Sequence, residues 1–114
     1  IPLYEYLATQ LGELGLVYLH LVDHSAMGAP ALPEGLGQNL RAKFDGTFIL
    51  SGGYDKVRAE ADIIEGKGEL VAFGRPFISN PNLVEKLKSG AALAAPNFDT
   101  FYTPGDEGYT DYPL

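Results

Sequence analysis

Two short stretches carry residue types suited to holding an anion. Ser51-Gly52-Gly53-Tyr54-Asp55 and Gly74-Arg75-Pro76 each follow an apolar run of strand length. Glycine has no Cβ, so its backbone N–H approaches an oxyanion closely. Arginine adds a forked pair of charged donors that matches phosphate oxygens. Either motif alone is also readable as a tight turn or a surface ion pair, because short glycine motifs are weak evidence. At successive strand ends, the two together favour an anion site. The other candidates are less organised. His20 lies inside an apolar run and His24 just past its end, with neither a second His nor a Cys at ligand spacing. Asp23 beside His24 is a nominal acid–base pair, but neighbours on a strand end point apart, so both histidines read as structural or solvated. Ser25, in Ser-Ala-Met-Gly, lacks the surroundings of a nucleophilic serine. Glu60, Asp62 and Glu65 read as a solvated helix face. Phe98, Phe101, Tyr102, Tyr109 and Tyr112 either wall a pocket or cover one end of a core.

The elements that must position these residues follow from apolar spacing. Leu3, Leu7, Leu11 and Leu14 recur at helical intervals and Gly15 stops the pattern. Leu16–Val22 is a continuous apolar run, which suits a strand covered on both faces. A Pro- and Gly-rich loop spans about Asp23 to Pro33. Leu36, Leu40 and Phe44 then mark a short helix interrupted at Gly37, and Asp45-Gly46 turns into the strand Thr47–Leu50. Asp55 caps a helix with Val57, Ala61 and Ile64 on one face and Gly66 as terminator. Leu70–Phe73 is the third strand. Asn80 reads as an N-cap with Pro81 at the first helical position, Leu83, Val84 and Leu87 as the apolar side, and Lys86 and Lys88 near the C-terminal dipole before Gly90. From Pro96 onward, residues 96–114 read as an ordered, irregular tail. Strands alternating with helices imply parallel pairing through right-handed crossovers. Three such strands with helices on one side leave a sheet face and both edges bare. The chain is therefore either a segment of a closed β/α barrel or a piece that associates with copies. The barrel segment is the better reading, and in barrels the ends of the last two strands often build a phosphate site.

Composition bounds the partners. The 114 residues are 46% hydrophobic and 20% charged, which describes a folded domain rather than a disordered one. Fifteen acidic against eight basic residues give a net charge of -7, arguing against nucleic acid and anionic membrane as partners. No apolar run approaches the ~20 residues of a membrane span. The absence of cysteine excludes disulfides and thiolate metal sites and fits a cytoplasmic location. The start, Ile-Pro-Leu-Tyr-Glu, lacks an initiator Met and the pattern of a signal peptide. It reads as a chain cut from something longer.

Leu70-Val71-Ala72-Phe73-Gly74-Arg75-Pro76-Phe77-Ile78-Ser79-Asn80-Pro81-Asn82-Leu83-Val84 resembles the last barrel strand and following helix of the Old Yellow Enzyme family. Thr100-Phe101-Tyr102 and Glu107-Gly108-Tyr109-Thr110-Asp111-Tyr112-Pro113 resemble the family's tail. Ile49-Leu50-Ser51-Gly52-Gly53-Tyr54 is similar to the preceding strand end, and Tyr18–Val22 to the strand before it. The resemblance implies an α/β fold, the C-terminal portion of a (β/α)8 TIM barrel, with about three parallel strands, flanking helices and an irregular tail. It implies an FMN-dependent ene-reductase that takes hydride from NAD(P)H and passes it to activated alkenes such as enones, maleimides and nitroalkenes. It places the flavin phosphate on Gly52, Gly53, Gly74 and Arg75, and Tyr102 beside the substrate. The family usually has Ala or Asn near Gly53, a departure that leaves a backbone role intact. It also implies that the chain starts after the fifth barrel strand. The His–His or His–Asn pair on the substrate carbonyl, the tyrosine proton donor and the groups on the flavin ring then lie upstream. No catalytic residue is assigned here, and the chain alone is expected not to reduce enones. Its expected partners are FMN, a small alkene, and the missing N-terminal barrel segment or a second copy. Two other readings stay open: a non-catalytic half-barrel that homo-oligomerises over its sheet face, and a phosphate-binding module for another ligand.

Overall fold

The structure, a computed structural model, describes residues 2–114. They form two compact units, one ending at Ala72 and the other running from Phe73 to Leu114. In the first unit, α1 (Pro2–Glu13), β1 (Tyr18–Val22), α2 (Leu36–Lys43), β2 (Thr47–Ser51), α3 (Lys56–Ile64) and β3 (Leu70–Ala72) alternate as expected. The sheet order is β1-β2-β3, all parallel. Tyr18 pairs with Thr47 and Val22 with Ser51, while Ile49 pairs with Leu70. Side chains alternate across a strand, so Leu19, Leu21, Phe48, Leu50 and Val71 share one face. Tyr18, His20, Val22, Ile49 and Leu70 share the other.

The core forms on the first of those faces. Phe48 and Leu40 pack with Ala8, Leu36 and Phe44, and Leu11, Leu19, Leu21 and Leu32 close around them. Phe48 is completely buried, a contribution of about 1.5–3 kcal/mol for a side chain of that size. Glu69 fastens α2 to β2. Its backbone N–H donates to the Phe48 carbonyl at 2.9 Å and its Oε1 accepts from the Phe48 N–H at 3.0 Å. Its other carboxylate oxygen pairs with Arg41 of α2.

Several expectations about faces change. Tyr18 and Val22 are exposed, so the continuous apolar run of β1 is covered by helices on one side only. On α1, Ala8 is buried and Leu11 packs on the core, whereas Leu3 and Leu14 are 71% and 75% exposed. A narrow sheet gives the leucine stripe too little surface to cover it. Gly37 does not interrupt α2; a glycine costs a helix only about 1 kcal/mol, and Leu36 and Leu40 on either side are anchored in the core. The loop after β1 contains a single 3₁₀ turn, Ser25–Met27.

The second unit holds α4 (Arg75–Ser79), α5 (Leu83–Ser89) and a 3₁₀ turn at Phe98–Thr100. Asn80 is not the N-cap of a helix beginning at Pro81. It follows α4, and Asn82 is the residue that precedes α5. Asn80 is instead fully buried. Its Nδ2 donates to the carbonyls of Pro76 and Ala94 at 2.9 and 3.0 Å, and its Oδ1 accepts from Ala94 N and Lys86 Nζ at 2.8 Å each. Ser79 Oγ donates to the same Ala94 carbonyl at 2.8 Å. These bonds fasten the chain after α5 to the end of α4. Leu83 is buried as expected, but Val84 is exposed.

Candidate functional site

In the first unit, the C-terminal ends of β1 and β2 meet at two turns. Asp23 N–H donates to the Ser51 carbonyl at 3.0 Å, carrying the pairing one residue past the strands. Asp23 Oδ1 then accepts from Ser25 N–H at 2.8 Å and turns the chain into the 3₁₀ segment. The backbone N–H and hydroxyl of Ser25 hold the Asp23 carboxyl below its usual value. The carboxyl is engaged with Ser25, and His24 is exposed. His20 is also exposed, on the open face of the sheet.

Gly52 and Gly53 follow β2 with φ of 118° and 64°, values that L side chains rarely adopt. A Cβ on Gly52 would overlap the Asp23 carbonyl oxygen, and one on Gly53 would lie 2.6 Å from Ala26 Cβ. Two glycines are therefore required where the β1 and β2 turns touch. The turn's backbone hydrogen bonds, among the described residues, use neither glycine's N–H.

Behind this turn stands a polar stack centred on Asp62, which the sequence pattern places on a solvated helix face. Asp62 is buried. Its Oδ2 accepts from the Tyr54 hydroxyl at 2.6 Å and its Oδ1 from Lys67 Nζ at 3.2 Å, while Arg58 Nε is 4.0 Å away. The Arg58 guanidinium lies 4.0 Å over the Tyr54 ring and donates through Nη1 to the Gly52 carbonyl at 3.1 Å. Asp55 caps α3 as expected, accepting from Arg58 N–H at 2.8 Å. The expected apolar face is misplaced, however. Val57 and Ile64 are 77% and 84% exposed, and Ala59 and Asp62 are the buried positions of α3. A carboxylate can occupy the inner face because two hydrogen-bond donors and a neighbouring guanidinium meet its charge. The signal available in sequence was the four-residue spacing of Arg58 and Asp62, which stacks their side chains along a helix face, with Tyr54 just ahead of the cap. Glu60 and Glu65 remain exposed, as expected.

The stack sets a pH dependence. Burial pushes the Asp62 carboxyl up, but the Tyr54 hydroxyl, Lys67 and Arg58 outweigh it and hold the group below its ordinary 3.8. Burial, the hydrogen bond to Asp62 and its negative charge push the Tyr54 phenol up to about 12. A lowered carboxylate binds its proton less tightly folded than unfolded. It therefore stabilises the fold above the unfolded value and loses that contribution as pH falls toward the folded one. The stability gap between wild type and Asp62→Asn is expected to be largest near pH 7 and to shrink below pH 3.8. Urea unfolding at pH 7 and pH 3 measures it; an equal gap at both pH values rules the effect out. On the alkaline side, Tyr54 keeps its proton longer folded than unfolded, so its contribution fades between pH 10 and about 12.

These residues border a cavity of about 550 Å³ between α2 and α3, to which Asp23, Arg41, Tyr54, Arg58, Asp62 and Lys67 contribute. Its lining carries both cations and anions, so it has no single sign of charge.

In the second unit, Gly74 precedes α4 with φ of −93°, and a Cβ there would meet open space. The Arg75 guanidinium lies 4.9 Å over the Phe98 ring. Phe98 packs against Phe101 at 4.8 Å, and Phe101 against Tyr102 edge-on at 6.4 Å. Tyr109 Oη donates to the Phe101 carbonyl, and Tyr112 Oη accepts from Asn97 N–H, each at 2.8 Å. Most tail aromatics thus order the tail itself. Tyr102 is 94% exposed, which does not suit a role in covering a core. Among the predicted site residues, the structure places Gly52 and Gly53 together in one unit and Gly74, Arg75 and Tyr102 in the other.

Residues 16–94 match the profile of the NADH:flavin oxidoreductase / NADH oxidase family. A 12-oxophytodienoate reductase-like protein of Solanum lycopersicum is 40% identical over 111 residues, covering 96% of this chain and 30% of that protein. Morphinone reductase in complex with tetrahydroNAD is 43% identical with a TM-score of 0.88, covering 98% of this chain and 30% of that one. The old yellow enzyme from Trypanosoma cruzi is 34% identical with a TM-score of 0.85, covering 98% and 29%. The chain thus spans about a third of the length of the relatives it matches. Its three parallel strands and their helices are a portion of a TIM barrel. FMN and NAD(P)H are the cofactors that go with such a family. By sequence profile, identity and fold together, the chain belongs to the Old Yellow Enzyme family of NADH:flavin oxidoreductases.

Proposed function

We propose that the chain is the C-terminal barrel segment of an FMN-dependent ene-reductase and carries its flavin phosphate site, with residues 96–114 as the tail. The observation that carries this reading is the Gly52–Gly53 turn. It stands at the C-terminal end of a parallel strand, where β/α folds bind ligands. Both φ values are positive, Asp23 and Ala26 exclude side chains, and the N–H groups are outside the turn's own bonding.

Each unit offers donors suited to a phosphate: neutral N–H groups that cost little to desolvate in the first, and a guanidinium that supplies charge in the second. Gly52 and Gly53 offer backbone N–H groups to its oxygens. Gly74 leaves its backbone open to approach, and Arg75 offers a forked cation whose stacking on Phe98 limits its freedom. Tyr102 presents an exposed phenol to an alkene substrate. When bound, FMN supplies hydride transfer from NAD(P)H to the β-carbon of an activated alkene. The residues assigned here hold that group and do not include the acid or the oxyanion donors, so the chain by itself is inactive on enones.

FMN titration followed by flavin fluorescence tests the assignment. Arg75→Ala is expected to weaken FMN binding about tenfold, the scale of one charge-assisted hydrogen bond. Equal affinity removes Arg75 from the site, and turnover of an enone by the chain alone overturns its inactivity.

A second reading rests on the open sheet face, where Tyr18 and Leu70 are more than half exposed. In it, copies of the chain associate over that face and have no catalytic role. Light scattering that finds a monomer at high concentration eliminates this reading.

A further inference from the structure

We propose that Arg58 is a positioning residue for the phosphate donors, acting through the peptide between Gly52 and Gly53; this rests on the phosphate-site reading above. In a trans peptide the carbonyl and the following N–H point in opposite directions, and there are no cis peptides among the described residues. Arg58 Nη1 donates to the Gly52 carbonyl at 3.1 Å, so the Gly53 N–H is turned away from Arg58. Glycine pairs rotate readily about φ and ψ, and without this bond the peptide is free to flip and withdraw its donor.

Arg58 is itself held from three sides. Its backbone N–H is bonded by Asp55 at 2.8 Å, its guanidinium rests 4.0 Å over the Tyr54 ring, and its Nε faces Asp62 at 4.0 Å. Tyr54 is fixed in turn by its 2.6 Å bond to the buried Asp62. The orientation of one glycine peptide is therefore tied, through three side chains, to the inner face of α3. The planar guanidinium suits this role because it stacks and donates at once. Arg58 does not touch the ligand in this scheme.

The test compares FMN with riboflavin, which lacks the phosphate, on wild type, Arg58→Ala and Arg58→Lys, with thermal unfolding as the control for folding. Wild type is expected to bind FMN more tightly than riboflavin. Arg58→Ala should reduce that preference roughly three- to tenfold, the scale of one hydrogen bond, with riboflavin affinity unchanged. Arg58→Lys, which keeps a donor within reach of Gly52, should recover most of it. The Gly53 amide resonance should move in Arg58→Ala and stay close to wild type in Arg58→Lys. Undiminished FMN preference in a folded Arg58→Ala overturns the positioning role while leaving the phosphate site standing. A wild-type chain that binds both flavins equally overturns the phosphate-site reading, and this role with it.

Discussion

Asn80→Ala is expected to destabilise the second unit by roughly 3–5 kcal/mol, the upper end of what single substitutions do. Asn80 is fully buried and bonds to the carbonyls of Pro76 and Ala94, the Ala94 N–H and the Lys86 ammonium. Alanine would leave the Ala94 N–H, the Pro76 carbonyl and the Lys86 ammonium without those partners. The cost is then that of unmet polar groups, larger than the net worth of the bonds themselves. The Ala94 carbonyl would retain Ser79 Oγ, which limits the loss. Asn80→Asp separates donors from acceptors: it keeps the partner for Ala94 N–H and Lys86 but sets a carboxylate against two carbonyl oxygens. A similar loss is expected there. Denaturant unfolding of both variants measures it, and a loss below about 1 kcal/mol in both would show that the hub carries no weight.

The second large effect belongs to Gly52. Gly52→Ala should cost about 2–4 kcal/mol, combining a φ that L residues avoid with a clash against backbone. The clashing atom is the Asp23 carbonyl oxygen, and Asp23 is itself tied to Ser51 by a 3.0 Å bond, so relief requires the ends of β1 and β2 to separate. Gly74→Ala is the control. Its φ is negative and the added methyl meets open space, so its stability should stay within about 1 kcal/mol of wild type. Thermal unfolding of the two variants side by side reads the difference. Equal midpoints would mean that the Gly52 turn adapts freely, which a loop held by Asp23 and Arg58 should not.

These two residues show where sequence reading succeeds and where it stops. Gly52 was legible: a glycine pair after an apolar run names both a strand end and a backbone conformation. So were the alternation of strands and helices, the Asp55 cap and Gly46 before β2, because each depends on residues adjacent in the chain. The family was legible too, since the Gly74-Arg75 stretch and the tail keep a recognisable order. Asn80 was misread because Asn-Pro at a loop end has the local signature of a helix start, and the partner that outweighs it, Ala94, is 14 residues away.

Asp62 failed for a related reason. Periodicity ranks helix faces by hydrophobicity, so it turned Val57 and Ile64 inward and Asp62 outward. The folded chain reverses this because Tyr54, Arg58 and Lys67 meet the carboxylate, whereas Val57 stays exposed. The sequence by itself determined the alternation of strands and helices, the glycine turn and the family, all properties of neighbours along the chain. Only the tertiary structure decided which face of each helix turns inward and which polar side chains are buried. The free energy of burying a charge or an amide depends on donors and acceptors brought from other elements, and the chain must fold before those partners meet.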